Sequence, residues 1–315
     1  MIKVTAQKEI RDGIGEALLQ IGEANSDIVC LSADLTESTR LHLFKQKYPT
    51  RFIQTGVSEQ NMAGIAAGLA LAGKVPFMSS FSVFSPGRNW DQIRVSICYS
   101  QANVKIIGSH AGFSNGADGA THEGLEDVAL VRVLPNMTVL CPADFYQAKA
   151  LVKLAASHKG PVYIRSFKGN SPIIYAKQDE FKIGKADILR EGEDLTIITA
   201  GPITTEVLKA ADNLATKYKI SVEIINMYSI KPLDTHLLLT SEHKTRKVLV
   251  VEEHQQIGGL GSAVAEYLSQ ELPMPVHIMG VKDTFGESGS RNALLEKYEL
   301  SATHIEMVAK NLYHK

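Results

Sequence analysis

The sequence has 315 residues, of which 44% are hydrophobic and 21% charged, and its formal net charge is -1. This composition is typical of a soluble globular protein, and the length is sufficient for two domains. The charge balance includes no basic stripe of the kind that binds nucleic acid. No apolar run approaches membrane-spanning length, so neither nucleic acid nor a membrane is an expected partner.

The first residues, Met1–Glu9, have no apolar core of the kind found in secretory signals. Three cysteines, Cys30, Cys98 and Cys141, each lie in or beside an apolar run, and none shares a C-x-x-C spacing with another. This pattern indicates buried, reduced thiols rather than disulfides or metal ligands. We therefore expect a cytoplasmic protein.

The first half of the chain alternates short apolar runs with amphipathic stretches, which predicts a parallel sheet covered by helices. Apolar residues recur at helical spacing from Ile10 to Ile21 and from Trp90 to Ile97. Asp144 is predicted to cap a helix that runs to about His158. The predicted strands are Asp27–Leu31, Arg51–Gln54, Val75–Ser79, Val104–Ile107, Met137–Cys141 and Val162–Arg165.

Residues 171–190 mix Pro172, Gly184 and many charges, and are predicted to be a linker. The alternation then resumes, with a helix opened by Gly201-Pro202. The fold class is therefore α/β, with two domains over residues 1–170 and 191–315, each a mainly parallel sheet covered by helices. The predicted strands of the second half are Asp194–Thr199, Val222–Ile225, Lys247–Val251 and Pro275–Met279.

A glycine cluster, Gly258-Gly259-Leu260-Gly261, follows a predicted strand and superficially resembles a phosphate-binding loop. It lacks the full dinucleotide fingerprint and a Walker lysine. We interpret it as a tight strand-to-helix turn.

The most informative segment is the run His110–His122, with sequence HAGFSNGADGATH. Its glycines permit the open backbone angles of a tight loop. Such a loop can direct Asp118 and the two histidines into a cleft. The structural alternative is a turn in which Asp118 and His122 only cap neighbouring backbone groups. Because loops carry function disproportionately, the segment is a candidate site.

Glu59 follows a predicted strand, in the first turn of a helix that Ser58 is predicted to cap. A carboxylate there interacts favourably with the helix dipole. It also stands at the carboxyl end of a parallel strand, where open α/β sheets bind ligands. Phe81 and Phe84 stand among serines near the end of another strand, where an aromatic pair can stack on a flat heterocycle.

Together these segments resemble the transketolase family of thiamine diphosphate enzymes. The resemblance extends over nearly the whole chain, but over only part of a full-length transketolase. The motifs that carry it are Leu31-Ser32-Ala33-Asp34-Leu35, Gly56-Val57-Ser58-Glu59-Gln60, the Phe81/Phe84 stretch with Asp91-Gln92-Ile93-Arg94, the loop 110–122, Leu134-Pro135-Asn136-Met137, Val251-Glu252-Glu253-His254 and Gly258-Gly259-Leu260-Gly261.

The resemblance implies that the first domain is the pyrimidine-binding domain and the second the transketolase C-terminal domain, which usually supports assembly. The family binds magnesium through a Gly-Asp-Gly motif in a further domain, and Gly-Asp-Gly does not occur in this sequence. Thiamine diphosphate and Mg²⁺ would therefore be bound together with a separate N-terminal transketolase subunit, which supplies the metal ligands. The expected assembly is a dimer or a heterotetramer.

The resemblance also implies residue roles. Glu59 would bond the aminopyrimidine ring and share a proton with it, and His122 would relay protons near neutral pH. Phe81, Phe84 and Asp34 would complete the cofactor pocket. The residues expected to bind the hydroxyls and phosphates of phosphorylated sugars are His110, Asp118, His122, Arg165, Ser38 and Arg11.

The implied reaction is the transfer of a two-carbon ketol unit between ketose and aldose phosphates, as in the pentose phosphate pathway. Deoxyxylulose-phosphate synthases and 2-oxoacid dehydrogenase beta subunits share the fold and remain alternatives. The synthase normally has arginine near the place of His110, and the dehydrogenase lacks the His-Asp-His spacing. A non-catalytic homologue is a third alternative, against which the intact Glu59, Asp118 and His122 argue.

Overall fold

The computed structural model describes residues 6–314. Residues 1–5 lie outside this part, and with them much of the N-terminal stretch in which no secretory segment was expected. The first half of the chain contains strands β1 (Gln7–Glu9), β2 (Ile28–Ser32), β3 (Phe52–Gln54), β4 (Val75–Phe81), β5 (Lys105–Ser109), β6 (Thr138–Leu140), β7 (Val162–Arg165) and β8 (Asn170–Pro172), and helices α1 (Ile10–Ala24), α2 (His42–Lys47), α3 (Glu59–Leu71), α4 (Trp90–Gln92), α5 (Asp127–Arg132) and α6 (Phe145–Ser157).

The second half has the same alternation. Two π-helical segments, Ile93–Tyr99 and Leu214–Tyr218, continue α4 and the helix Thr204–Asn213, and a 3-10 turn covers Gly112–Asp118. The elements of the second half are β9 (Asp187–Arg190), β10 (Leu195–Thr199), α7 (Thr204–Asn213), β11 (Val222–Asn226), β12 (Ser229–Lys231), α8 (Thr235–Thr245), β13 (Val248–Gln255), α9 (Leu260–Glu271), β14 (Val276–Val281), α10 (Arg291–Lys297) and α11 (Ala302–Tyr313).

Two mainly parallel sheets organise these elements, which confirms the predicted α/β class. The larger sheet has the strand order β12-β6-β7-β5-β4-β2-β3, and only β12 is antiparallel to its neighbour. The smaller sheet has the order β14-β13-β10-β11-β9, and only β9 is antiparallel. All ten predicted strands overlap observed ones. The match is good because strands buried on both faces are continuous apolar runs.

The helix prediction at Asp144 is also confirmed. The Asp144 carboxylate accepts a hydrogen bond from the Gln147 amide at 2.8 Å, and α6 ends at Ser157. The second oxygen of Asp144 accepts the amides of Ile174 and Tyr175, both at 2.7 Å. One carboxylate thus caps a helix and fixes the chain that leaves the first half.

The prediction of a linker over residues 171–190 is wrong in its structural content. This segment contains part of β8, which pairs with β1, and all of β9, which forms an edge of the smaller sheet. Proline and charged residues misled the prediction, because both are common on edge strands, where one side of the ladder faces solvent. The chain between the two sheets is therefore integrated into the fold.

The two halves of the chain also pack against each other. β12 comes from the second half, yet pairs with β6 of the first, and the Cys141 amide donates to the Tyr228 carbonyl at 2.8 Å. One continuous apolar core includes residues of the larger sheet together with Ile198, Ile225 and Val250 of the smaller one. The two sheets are thus held against each other by buried apolar surface.

All three cysteines are buried and free, as predicted. Burial raises the pKa of the Cys98 thiol to about 11 and that of Cys141 to about 12. They therefore stay protonated and behave as small apolar side chains. Among residues 6–314, no helix is long and apolar enough to cross a membrane.

A buried carboxyl group on α8 gives the fold a specific dependence on pH. Glu242 is fully buried, and neither of its oxygens has a hydrogen-bond partner within the described residues. Burial, with a smaller contribution from the Glu223 carboxylate, raises the pKa of Glu242 to about 9. The folded chain therefore retains a proton that the unfolded chain loses at the ordinary value of 4.5. The stability that this group contributes is lost as pH rises from about 4.5 towards about 9.

We predict that Glu242→Gln removes much of this loss, because an amide does not ionise in the unfolded state. Near pH 8 the variant should be more stable than the parent by at least about 1.4 kcal/mol, the equivalent of one pKa unit. Below about pH 4.5 the two should differ little. Urea unfolding across this range measures the effect, with Glu271→Gln, an exposed site on α9, as the control. Parallel stability curves for parent and Glu242→Gln would contradict the assignment.

Candidate functional site

The candidate site lies at one edge of the larger sheet. Strands β5, β4, β2 and β3 are neighbours and parallel, so their carboxyl ends lie together. The segments that follow them carry His110, Phe84, Asp34 and Glu59. This is the edge at which open α/β sheets bind ligands.

Glu59 is the first residue of α3 and is buried, with 3% of its surface exposed. Its Oε1 accepts a hydrogen bond from the Ser80 hydroxyl at 2.9 Å, and its Oε2 accepts one from Arg88 Nη1 at 3.3 Å. Asn89 Nδ2 donates to the Glu59 carbonyl at 3.2 Å. A buried carboxylate is thereby oriented by the end of β4 and by the turn after it.

Ser58 occupies the N-cap position of α3. Its side chain does not cap the helix, so the prediction of a Ser58 cap is wrong. The Ser58 hydroxyl instead donates to the Thr55 carbonyl at 2.7 Å. This bond tightens the turn between β3 and α3. Because the hydroxyl is used there, the orientation of Glu59 depends on Ser80 and Arg88 instead.

Four rings predicted from separate motifs form one cluster. The Phe81 ring stacks on the His110 ring at 4.0 Å between centroids and on the Phe84 ring at 5.9 Å. The His122 ring meets the edge of Phe84 at 5.3 Å and that of Phe81 at 6.3 Å. The loop and the end of β4 thus build one aromatic wall. Ser80, which bonds Glu59, is the residue immediately before Phe81 in β4.

His110 is held in an unusual conformation. Its φ of 59° lies in the left-handed region, which is rare for residues other than glycine and common at functional sites. It is 1% exposed, and its Nδ1 lies 2.8 Å from the Ser109 hydroxyl. Burial lowers the pKa of His110 to about 3, with further contributions from Arg11, Lys168 and Arg40. The imidazole is therefore neutral at physiological pH.

The three cations that act on His110 have different partners. Arg11 is paired with Glu9 and donates to the Ser38 carbonyl at 3.0 Å. Arg40 is paired with Glu9 and Asp12. Lys168 is exposed and donates to Asn115 Oδ1 at 3.3 Å, with no carboxylate partner among residues 6–314. An anion near His110 would therefore meet one charge that the chain leaves uncompensated.

Arg165, predicted to bind phosphate, is not available for that role. It is 2% exposed, and its Nε donates to both oxygens of Asp127, at 2.9 and 3.1 Å. Its Nη2 donates to the carbonyls of Gly124 and Glu253 at 3.1 and 3.0 Å. The prediction is wrong because Arg165 still belongs to the buried strand β7. The first exposed cation after that strand is Lys168.

The remaining predicted residues lie around the same sheet edge. Asp34 follows β2 with a φ of 60°, is exposed, and donates from its backbone amide to Gln54 Oε1 at 2.8 Å. Ser38 is half-buried and contacts Arg11 through its carbonyl rather than its hydroxyl. Asp118 is exposed at the end of the 3-10 turn. Thr121 Oγ1 lies 2.9 Å from His122 Nδ1.

Glu123, immediately after His122, is a titratable group that the sequence did not reveal. It is 3% exposed, and neither carboxylate oxygen has a hydrogen-bond partner in the described chain. Burial raises the pKa of Glu123 to about 7, and the nearby carboxylates of Glu253 and Glu287 add to the shift. A proton is therefore held beside the loop at slightly acidic pH.

The glycine cluster 258–261 is a strand-to-helix turn, as predicted. The turn binds a carboxylate of the chain itself. Glu252 accepts hydrogen bonds from the amides of Leu260 and Gly261 at 2.7 and 2.8 Å. A Cβ on Gly259 would lie 2.0 Å from a Glu252 oxygen, so only glycine fits. The amino end of α9 thus already contacts a carboxylate, which leaves no place for a phosphate.

Sequence reasoning missed three further residues of the site: Ser80, Arg88 and Lys168. Ser80 was detectable as a buried hydroxyl position inside an apolar strand. Arg88 lies over the Phe84 ring, with the guanidinium carbon 3.9 Å from the centroid.

Within residues 6–314, no group of three or more His, Cys, Asp or Glu side chains could hold a metal ion.

Comparison with known families matches both halves of the chain. The model of the transketolase pyrimidine-binding domain matches residues 6–173. The model of the transketolase C-terminal domain matches residues 184–305. Together the two models cover nearly all of the sequence.

Similar proteins of similar length are subunits or sections of transketolases. A protein of Methanocaldococcus jannaschii described as a transketolase C-terminal section is 43% identical over 99% of this chain and 98% of its own length. A 6-deoxy-6-sulfo-D-fructose transketolase subunit of a Clostridium species is 42% identical, over 95% and 93%. One of the subunits of an apulose-4-phosphate transketolase of Phocaeicola vulgatus is 37% identical, over 95% and 97%.

Solved structures agree with these matches. A split-gene transketolase, solved as an inactive beta4 tetramer, has a TM-score of 0.89 at 44% identity and is covered over 98% of its length by 97% of this chain. A transketolase of Leishmania mexicana has a TM-score of 0.81 at 21% identity, which supports the fold, and this chain covers 46% of it. The resemblance noted from the motifs is thereby confirmed. The chain belongs to the transketolase family and corresponds to its pyrimidine-binding and C-terminal domains.

Proposed function

We propose that this chain is a subunit of a thiamine diphosphate-dependent transketolase that transfers a two-carbon ketol unit between ketose and aldose phosphates. The observation that carries the proposal is the buried Glu59 carboxylate beside the wall of Phe81, Phe84, His110 and His122. A proton acceptor, a flat apolar wall and two imidazoles at one sheet edge suit this chemistry better than a purely structural role.

The geometry around Glu59 fits an aminopyrimidine. Arg88 presents a planar group that donates to Glu59 Oε2 and lies over the Phe84 ring. A planar heterocycle could make the same two contacts, with one proton shared between its ring nitrogen and Glu59. Half of the Arg88 side chain is exposed, so it can leave this position. When bound, the cofactor supplies a carbon nucleophile and an electron sink.

The chain's own residues then have distinct tasks. Glu59 would share a proton with the ring nitrogen of the aminopyrimidine, donating as the acid and accepting as the carboxylate, and Ser80 orients it. Phe81 and Phe84 exclude water from the ring, with Asp34 at the neighbouring strand end. His122 exchanges protons with the substrate hydroxyls, and Asp118 binds them. His110, being neutral, contributes a hydrogen bond rather than a charge.

The same observations support a separate partner subunit. The sequence contains no Gly-Asp-Gly motif, so the cofactor's diphosphate and Mg²⁺ would be bound by an N-terminal transketolase subunit. Val57, two residues before α3, and Leu71, the last residue of α3, are each 71% exposed. A Cβ added to Gly64 or Gly68 of the same helix would have no neighbouring atom within 4 Å, so the helix surface there is open. This bare helix face next to Glu59 is suited to close packing in a dimer or heterotetramer.

The expected substrates carry an anionic end. Lys168, with Arg11 and Ser38 nearby, provides a positive field at His110. The relatives' names include a sulfo-sugar and a sugar phosphate, both anionic. We therefore propose phosphorylated sugars as substrates, with the pentose phosphate pathway and the cytoplasm as the setting.

We predict that Glu59→Gln, in the enzyme reconstituted with its N-terminal subunit, thiamine diphosphate and Mg²⁺, lowers turnover by about 100- to 10,000-fold. The amide keeps the size of the side chain but cannot share the proton. Hydrogen–deuterium exchange at the reactive carbon of the bound cofactor measures the step directly. Arg88→Met is the matched control, since it removes the ion pair between Arg88 and Glu59 but leaves the Glu59 carboxylate in place. An unchanged exchange rate in Glu59→Gln would refute the proposed function.

A second prediction separates Lys168 from Arg165. Lys168→Met should raise the Michaelis constant for phosphorylated donors by about 10-fold, the effect of one charged hydrogen bond. The Michaelis constant for hydroxypyruvate, a donor without a phosphate, should stay nearly unchanged. Lys168→Arg should retain most of the affinity. Arg165→Met should instead lower stability by about 3–5 kcal/mol, because it leaves Asp127 buried and unpaired. Steady-state kinetics with both donors, together with urea unfolding, test this, and equal losses for both donors in Lys168→Met would contradict the anion assignment.

A further inference from the structure

The loop 110–122 lies against the second half of the chain along most of its length. Phe113, fully buried, stacks on Tyr298 at 4.9 Å between ring centroids. The Gly289 amide donates to the Gly116 carbonyl at 2.9 Å. The second domain therefore provides a surface, formed by Glu253 of β13 and the segment from Gly286 to Tyr298, on which the loop is seated.

Glu253 is the polar centre of this surface. It is 1% exposed, and its Oε1 accepts the Phe113 amide at 2.8 Å. Arg291 Nε lies 3.1 Å from Oε2 and 3.3 Å from Oε1, and Arg291 Nη2 also donates to Oε2. The ion pair with Arg291 fixes the carboxylate, and the carboxylate fixes the loop backbone. Hydrogen bonds to a charged partner are roughly twice as strong as neutral ones.

The loop's glycines are explained by this close approach. A Cβ on Gly112, whose φ is +59°, would lie 2.6 Å from Glu253 Oε1. A Cβ on Gly116 would lie 2.5 Å from the Gly289 carbonyl oxygen, and one on Gly119 would lie 2.7 Å from Ser288 Oγ. At three places, therefore, only glycine allows the loop to approach the second domain at this distance.

The two ends of the loop are joined to each other and, through Arg165, to β13. At the far end, Arg165 Nη2 bridges the carbonyls of Gly124 and Glu253. At the near end, the Gly112 amide donates to the Gly124 carbonyl at 2.9 Å. A displacement of Glu253 would therefore move the backbone that carries His110, Asp118 and His122.

We propose that Glu253, held by Arg291, is a positioning residue for substrate, through which the C-terminal domain orients the loop that binds the sugar. This inference rests on the proposed function of His110, Asp118 and His122. Glu253 itself faces Phe113 and Arg291 rather than the cluster of rings. It gives the C-terminal domain a part in substrate binding in addition to assembly.

The first test uses the purified chain without cofactor or partner. In Glu253→Ala, amide hydrogen exchange of peptides spanning residues 110–122 should accelerate by at least about 10-fold, since local opening loses a charged hydrogen bond. Glu253→Gln keeps an oxygen acceptor but loses the ion pair and should be intermediate, as should Arg291→Lys. Glu271→Gln, at an exposed glutamate on α9 of the same domain, is the control and should leave loop exchange unchanged. Unchanged exchange in Glu253→Ala would overturn the proposal.

The second test uses the reconstituted enzyme with Glu253→Gln, the milder variant. The Michaelis constant for the sugar donor should rise by about 10-fold, while deuterium exchange at the cofactor's reactive carbon, which depends on Glu59, stays at the parent rate. Equal loss of both would indicate general damage and overturn a positioning role. A parent enzyme without ketol transfer would instead refute the proposed function, and loop exchange in the isolated chain would still decide whether Glu253 seats the loop.

Discussion

The candidate site depends on one topological constraint, the parallel adjacency of β5, β4, β2 and β3. Parallel neighbours place all of their carboxyl ends at one edge, so residues far apart in sequence come together there. Glu59 follows β3, Phe81 ends β4 with Phe84 just after it, and His110 follows β5. The ring cluster of Phe81, Phe84, His110 and His122 is a direct consequence of this strand order.

Much of this arrangement could be predicted from the sequence. Buried parallel strands are continuous apolar runs, so their positions, and with them the polar residues that follow, are readable. Glu59 in the first turn of α3 and the loop after β5 both follow from this reasoning. The N-cap at Asp144 was readable for a different reason, since a short carboxylate side chain can accept a helix amide locally. These are local signals, and local signals are carried by the sequence itself.

Features that depend on tertiary contacts could not be predicted in the same way. Arg165 and Lys168 are three residues apart, and either could serve an anion, but burial of β7 pairs Arg165 with Asp127 and leaves Lys168 at the surface. The charged segment before β10 has the composition of a linker, because an edge strand gains its pairing from a partner distant in sequence. Glu253 and Phe113 are 140 positions apart, and no local pattern links them. Coupling of the loop to the second domain is visible only in three dimensions.

The two halves of the molecule therefore have different relations to the site. The first supplies nearly all of the side chains that face it, and the second fixes the loop from behind through Glu253 and Arg291. The bare face of α3 beside Glu59 leaves the cofactor end open in the single chain. Under the proposed function, the chain contributes acid–base and substrate residues, and a partner subunit supplies the groups that bind diphosphate and metal.

The most direct test of this account is a titration of the chain with the N-terminal transketolase subunit from the same source. Ketol transfer from a phosphorylated ketose to an aldose phosphate would be measured at saturating thiamine diphosphate and Mg²⁺. The account predicts no activity for either subunit alone and activity that rises until the two are present in equal amounts. Robust transfer, with tight Mg²⁺-dependent cofactor binding, by this chain alone would contradict it.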